Sequence, residues 1–180
     1  MEKIFDKITP PIKIKTPRLI IDDITEKDKQ AYFDLYTDEQ LNRWWGYDYR
    51  EDLGENAPTP EYFYCFMQSL KEKKEEYSFA IRHDGKMIGE LVLYNFNEDQ
   101  SAEMGFRLSK DYQGQGFAYE GANALKDYAF NQLKVKALKT KCFKQNIPSK
   151  RLIEKLGFSK FEESDTHFYF LLKNSTTFTE

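Results

Sequence analysis

Histidine and cysteine are both scarce in this chain, with two of each among 180 residues. His83 and His167 share no metal-ligand spacing with each other or with Cys65 and Cys142, so no metal site is expected. The cysteines stand far apart in apolar company. That pattern reads as two free, partly buried thiols in a reducing compartment, not as a disulfide framework. No apolar run reaches the length of a membrane span, and residues 1–15 lack the apolar core of a signal peptide. A cytoplasmic protein without a membrane partner is the expectation. A basic excess is also missing: 27 Lys and Arg face 30 Asp and Glu, a net charge of −3. A nucleic-acid partner is therefore not expected. The lysine-dense stretch 134–144 is interrupted by Val, Ala, Leu and Cys, which suits a half-exposed strand.

What the chain does have is apolar and aromatic mass, 40% and 16% of its residues. One domain of this length buries about 70% of the surface its unfolded chain exposes. No repeat or low-complexity linker divides it. Residues 13–23 read as a strand. Thr25, with Asp28 three residues on, reads as a capped helix start, and that helix runs to about Tyr36. A short second helix carries Leu41, Trp44 and Trp45 and stops at Gly46. Residues 47–60 read as polar turn. Thr59-Pro60 then opens a helix with Tyr62, Phe66, Met67 and Leu70 as its apolar stripe. From Tyr77 the period is two, and three strands follow (77–82, 87–97 and 102–108), the first pair joined by the Asp84-Gly85 turn. A helix begins after Gly116, a strand covers 135–144, a short helix 146–156, and a strand pair closes the chain (158–163 and 166–172). The tail 174–180 reads as frayed. The order β-α-α-α-β-β-β-α-β-α-β-β calls for one mixed sheet with helices packed on it.

The chemistry concentrates where the strand ending at Leu108 gives way to an Ala-rich helix, at Gln113, Gly114, Gln115, Gly116, Phe117 and Ala118. Glycine lets backbone approach an anion closely, and the first N–H groups of a helix have no partner within it. Together with the helix dipole they form an anion site. Tyr119 stands where a dinucleotide-binding fingerprint needs its third glycine. Ala122 stands where a nucleoside-triphosphate loop needs lysine. The competing reading is a strand–helix turn using glycine as punctuation.

A second segment, Asn146-Ile147-Pro148-Ser149 through Leu156-Gly157-Phe158, follows about 30 residues later. Residues 113–118 match the Gln/Arg-x-x-Gly-x-Gly/Ala motif, and 146–158 the Asn-x-x-Ser…Leu-Gly-Phe segment, of the GNAT superfamily of N-acetyltransferases. The opening Thr16-Pro17-Arg18-Leu19-Ile20-Ile21 resembles the branch typified by the ribosomal-protein alanine and serine acetyltransferases. The resemblance spans residues 16–172. It implies a single α+β domain of the acyl-CoA N-acyltransferase-like fold, with a mixed, mostly antiparallel twisted sheet, splayed central strands and flanking helices. It also implies acetyl-CoA as cosubstrate. Backbone near Phe106 and Leu108, together with Asn146, would meet the pantetheine arm. Gln113 to Ala118 would hold the pyrophosphate, with Arg151 near the phosphates.

The implied reaction is attack of a neutral amine on the thioester. An α-amine near pKa 7.7–8 is about a tenth deprotonated at pH 7, and a lysine near 10.4 far less, so a positioned base helps. Ala102-Glu103-Met104-Gly105 matches the branch's Ala-Glu-hydrophobic-Gly, and Glu103 is the expected base, acting through water. The competing reading makes it an edge carboxylate paired with Arg107. Glu90 in the neighbouring strand is the rival on the acceptor side. Ser149 is the candidate proton donor to the departing thiolate, or else a helix-cap hydroxyl. Trp44 and Trp45 are candidate walls of the acceptor pocket, a small-molecule or peptide amine being the expected acceptor. The alternative function is a non-catalytic acyl-CoA sensor, and a monomer or homodimer is expected.

Overall fold

The computed structural model describes residues 3–175. Its elements are β1 (Lys13–Lys15), β2 (Ile20–Asp23), α1 (Lys29–Thr37), α2 (Glu39–Asn42), α3 (Tyr49–Leu53), α4 (Pro60–Glu72), β3 (Glu76–His83), β4 (Lys86–Tyr94) and β5 (Ser101–Leu108). They continue with α5 (Phe117–Asn131), β6 (Ala137–Phe143), α6 (Ile147–Lys155), β7 (Ser159–Glu163) and β8 (His167–Lys173). All eight strands join one sheet in the order β1-β2-β3-β4-β5-β6-β8-β7. Every neighbouring pair is antiparallel except β5 with β6. This is the α+β domain with a mixed, mostly antiparallel sheet that the sequence led one to expect.

Several elements differ from expectation. The strand over 13–23 is two strands. Pro17 and Arg18 make a turn between them, closed by Thr16 N–H donating to the Leu19 carbonyl at 3.0 Å. The Thr25–Asp28 capping box forms, but on a single 3₁₀ turn (Glu26–Asp28) that leads into α1. The polar stretch 47–60 contains α3, because the Asp48 carboxylate caps it by accepting from Arg50 N–H. At the start of α4 the Thr59 hydroxyl accepts from Tyr62 N–H (3.1 Å), with Pro60 in the first turn. The buried face of α4 is Phe63 and Met67, whereas Tyr62, Phe66 and Leu70 are half-buried. Cys65 lies off that face and is exposed, against the expectation of a partly buried thiol; Cys142 is buried. Asn174 is not frayed either. It is buried, and its side-chain amide donates to the Val135 carbonyl at 3.1 Å. Residues 176–180 lie outside the described chain.

Strand alternation divides the interior between the two faces of the sheet. On one face, Leu91, Leu93 and Met104 pack with Ala122, Leu125 and Ala129 of α5. Each such fully buried side chain contributes about 1.5–3 kcal/mol for the larger aliphatic residues. On the other face a smaller cluster forms from Tyr32 and Tyr36 of α1, Phe63 and Met67 of α4, and Ala80 of β3. Glu103, Gly105 and Arg107 of β5 point to this second face, where the sheet carries charge.

Candidate active site

β5 and β6 pair in parallel over three positions only, Ser101 with Ala137, Ala102 with Leu138 and Glu103 with Lys139. Beyond Glu103 the two strands part. β5 keeps its full antiparallel contact with β4 as far as Leu108, and β6 keeps its contact with β8 as far as Phe143. The result is a V-shaped gap in the sheet with Glu103 at its apex.

The backbone lining this gap follows from register. Ser109 N–H donates to the Ile88 carbonyl at 2.8 Å, so the pairs Arg107–Glu90 and Gly105–Val92 are also the hydrogen-bonded pairs of the antiparallel ladder. The main-chain groups of Met104, Phe106 and Leu108 therefore face away from β4, toward the gap. The Leu108 carbonyl accepts from the Gln113 side-chain amide at 2.9 Å, which ties the following loop to the strand end.

Gln113 to Ala118 form the tight connection into α5. Gly114 and Gly116 have φ of +75° and +83°, a left-handed backbone that other residues adopt at a cost. Gly116 is the N-cap of α5 and offers no side-chain cap. The first hydrogen bond back along the helix is Glu120 N–H to the Gly116 carbonyl (3.0 Å). The N–H groups of Gly116, Phe117 and Ala118 precede it and have no partner within the helix. With the positive end of the helix dipole they suit a phosphate group. The Phe117 side chain is buried against the His83 ring, so it anchors the helix start.

The other arm of the gap leads from β6 into α6. Asn146 caps α6, its side-chain oxygen accepting from Ser149 N–H at 3.3 Å. Its amide nitrogen is not used in that cap. Ser149 is half-buried in the first turn, and Arg151 is exposed one turn on.

On the α1 face of the gap, the Glu103 carboxylate is half-buried and accepts from the Asn95 side-chain amide at 3.0 Å. It is not paired with Arg107. Arg107 belongs instead to Glu90: its Nε donates to Glu90 Oε2 at 2.8 Å, and its Nη2 approaches the same oxygen at 2.6 Å. That second contact is an ion pair off the hydrogen-bond direction. Glu90 Oε1 accepts from the Tyr32 hydroxyl at 2.8 Å. Glu90 is 0% exposed with both oxygens taken, so it lies beneath the surface of this face and not on it. Burial, followed by the Glu90 charge, pushes the Tyr32 and Tyr36 phenols well up.

Arg107 is held between two rings, Tyr36 at 3.8 Å and Trp45 at 4.3 Å from its guanidinium carbon. Trp45 also lies over Gly105, where a Cβ would come within 3.4 Å of the indole. Trp44 turns the other way and packs on Phe143, at the end of β6, with ring centroids 5.7 Å apart. Consecutive tryptophans thus reach the two arms of the V from one side.

Sequence reasoning missed Glu76. Register sets Glu76 opposite Tyr94, and Tyr94 opposite Glu103, in one row across β3, β4 and β5. The Glu76 carboxylate accepts from the Ser78 hydroxyl at 3.2 Å. Its pKa is pushed up to about 7, first by burial and then by the Glu90 charge, against the opposing pull of Ser78 and Arg107. Tyr94 is raised too, by burial first and then by Glu103 as a charge and hydrogen-bond acceptor. A glutamate opening a strand after Lys73-Lys74-Glu75 looks like solvated charge. Only the pairing of three strands reveals the row.

Among the described residues no group of three or more His, Cys, Asp or Glu could hold a metal ion. No helix among them is long and apolar enough to cross a membrane. A broad groove of 1210 Å³ runs along the outer side of α5, past Tyr119, Asn123 and Asp127. It reaches Arg18 and Gly116 and includes no residue of β5 or β6.

A model of the acetyltransferase (GNAT) domain family matches residues 18–159. The uncharacterized N-acetyltransferase YnaD of Bacillus subtilis (strain 168) is 27% identical over 148 residues, 82% of each chain. Among solved structures, Mycobacterium smegmatis RimJ in complex with CoA-disulfide superposes with a TM-score of 0.78 at 16% identity, over 99% of this chain and 93% of that one. Spermidine N-acetyltransferase from Vibrio cholerae, in complex with CoA and spermine, superposes with a TM-score of 0.77 at 17% identity, over 89% of this chain and 98% of that one. At these identities the likeness is one of fold.

Proposed function

Since the chain belongs to the acetyltransferase (GNAT) domain family and is an N-acetyltransferase, we propose that it moves an acetyl group from acetyl-CoA to a small primary amine. The observation that carries this reading is the parting of β5 and β6 beyond Glu103, with the glycine loop at the end of one arm. A narrow slot lined by main-chain groups suits an extended amide-bearing chain, and the helix start beyond it suits the phosphates. The CoA complexes of the two structural neighbours support the same reading.

Phe106 and Leu108 would hold the amide-bearing arm on one side, with the Asn146 side-chain amide on the other. Gln113, Gly114, Gln115, Gly116, Phe117 and Ala118 would hold the pyrophosphate, with exposed Arg151 able to reach a phosphate. Bound acetyl-CoA would supply a thioester carbonyl open to attack. Glu103, at the apex and half-exposed, receives the amine's proton through water. Asn95 orients its carboxylate. The Ser149 hydroxyl, on the opposite arm, would donate a hydrogen bond to the departing thiolate, which takes its proton from solvent while the amine's proton passes through Glu103 to water. Trp45 and Tyr94 wall the approach of the amine, and the fixed geometry lowers the entropy cost of attack. The spermine-bound neighbour favours a small amine as acceptor.

The test is thiol release from acetyl-CoA with a panel of polyamines, amino sugars, amino acids and peptides. Turnover with at least one small amine is expected, and Glu103→Gln should lower kcat by about 10²-fold or more. Acetyl-CoA binding with no thiol release across the panel would favour the sensor reading instead.

A further inference from the structure

Arg18 belongs to the turn between β1 and β2, about 100 residues from the glycine loop in sequence, yet it meets that loop at three points. Its Nη1 donates to the Gln115 carbonyl at 2.9 Å. Its guanidinium carbon lies 4.5 Å from the centroid of the Phe117 ring. Its Nη2 lies where a Cβ on Gly116 would come within 3.2 Å. The other edge of the guanidinium is fixed by Glu120, whose Oε2 accepts from Arg18 Nε at 2.7 Å. Glu120 is itself locked: its Oε1 accepts from the Thr16 hydroxyl at 2.6 Å and from Arg18 N–H at 2.8 Å. Burial alone would raise the Glu120 carboxyl, but Thr16 and Arg18 together hold it below the usual carboxylate range.

We infer that Arg18 is the positioning residue of the cofactor loop. It clamps the Gln115 carbonyl to the first turn of α5, so that the N–H groups of Gly116 to Ala118 are set before any ligand arrives. A left-handed Gly-x-Gly connection is otherwise the most pliable stretch of backbone in the site. Fixing it in advance removes an ordering cost from binding. The planar fork of arginine spans carboxylate and carbonyl at once, which a lysine ammonium on a flexible stem cannot do. The inference rests on the reading of residues 113–118 as a coenzyme A site.

The experiment is CoA binding by isothermal titration calorimetry, with amide hydrogen exchange across residues 113–118 in the ligand-free protein. Wild type, Arg18→Ala and Arg18→Lys are compared. Losing one charge-assisted clamp should weaken CoA binding about tenfold in Arg18→Ala. Arg18→Lys should recover little of that, and loop amides should exchange faster in both variants. The KM for acetyl-CoA should rise in step with the Kd, and a fall confined to kcat would overturn the clamp, because the clamp acts on binding. A lysine variant that binds CoA like wild type would mean that charge near the phosphates suffices, and would overturn the clamp. Unchanged CoA affinity in Arg18→Ala, or unchanged loop exchange, would overturn it as well. Wild type failing to bind CoA would overturn the cofactor reading and this inference together, and the other outcomes leave that reading standing.

Discussion

Arg107 and Glu90 are each almost wholly removed from water, so their charges depend on each other. Removing one member of such a pair leaves an uncompensated buried ion, at a typical cost of about 3–5 kcal/mol. Glu90→Ala is therefore expected to lower the unfolding free energy by about that amount in urea melts. Glu90→Ala combined with Arg107→Met should recover part of the loss. Glu76 answers to pH instead. Its carboxyl titrates near 4.5 when exposed and at about 7 in the folded protein, raised by burial and then by Glu90. Between those pH values the folded state holds the proton and the unfolded state does not, so stability falls as pH rises through that window. The loss is about 3 kcal/mol at most. Glu76→Gln should abolish that slope and melt at a higher temperature than wild type at pH 8, which thermal scans from pH 5 to 8 would check. Both effects come from one small patch of sheet, where Arg107 is bonded to Glu90 and acts on Glu76 only as a charge.

Among elements, β5 has the decisive arrangement, because one edge is fully paired and the other is paired only as far as Glu103. The amides of Phe106 and Leu108 face the gap, whereas that of Arg107 is bonded to β4. Hydrogen exchange should therefore be fast at Phe106 and slow at Arg107 in the free protein, and CoA should slow Phe106 selectively. Much of this element was legible in the sequence. Period-two alternation from Ala102 to Leu108 gave the strand, and the two glycines gave the turn after it. The GNAT-like motifs suggested the splay, which no local pattern could specify, since it depends on where β6 stops pairing. The helices before β3 were less legible. α3 was hidden among residues 47–60 because Gly54, Pro58 and Pro60 signal turns, while its one start signal is the Asp48 cap. The apolar stripe read for α4 includes the buried Met67 but not Phe63, which is flanked by aromatics in sequence and is selected by packing on Phe33 and Tyr36 of α1 and Tyr49 of α3. The Glu90–Arg107 pair and the place of Glu76 lie across strands and were invisible to any one-dimensional reading.

For the molecule as a whole, the two faces of the sheet have separate duties. The α5 face carries most of the apolar interior and the glycine loop, and the α1 face carries the charges and tryptophans. Substitutions on the two faces should then act independently, as they do at well-separated sites. Trp45→Ala is expected to raise the KM for the amine several-fold while leaving the Kd for CoA within about twofold, as steady-state kinetics and calorimetry can check. On the reading proposed above, the edge of β5 that lines the gap would recognise its ligand with amide N–H and carbonyl groups, and every residue has these except proline, which lacks the N–H. Most side-chain replacements along that edge leave its hydrogen-bonding groups untouched, provided the strand still forms. The opposite face is built of particular side chains, and one codon change there rewrites what it touches. On that reading, mutation would bear unequally on the two ends of the site: the slot would be kept by the polymer itself, and the choice of amine would be open to drift and selection.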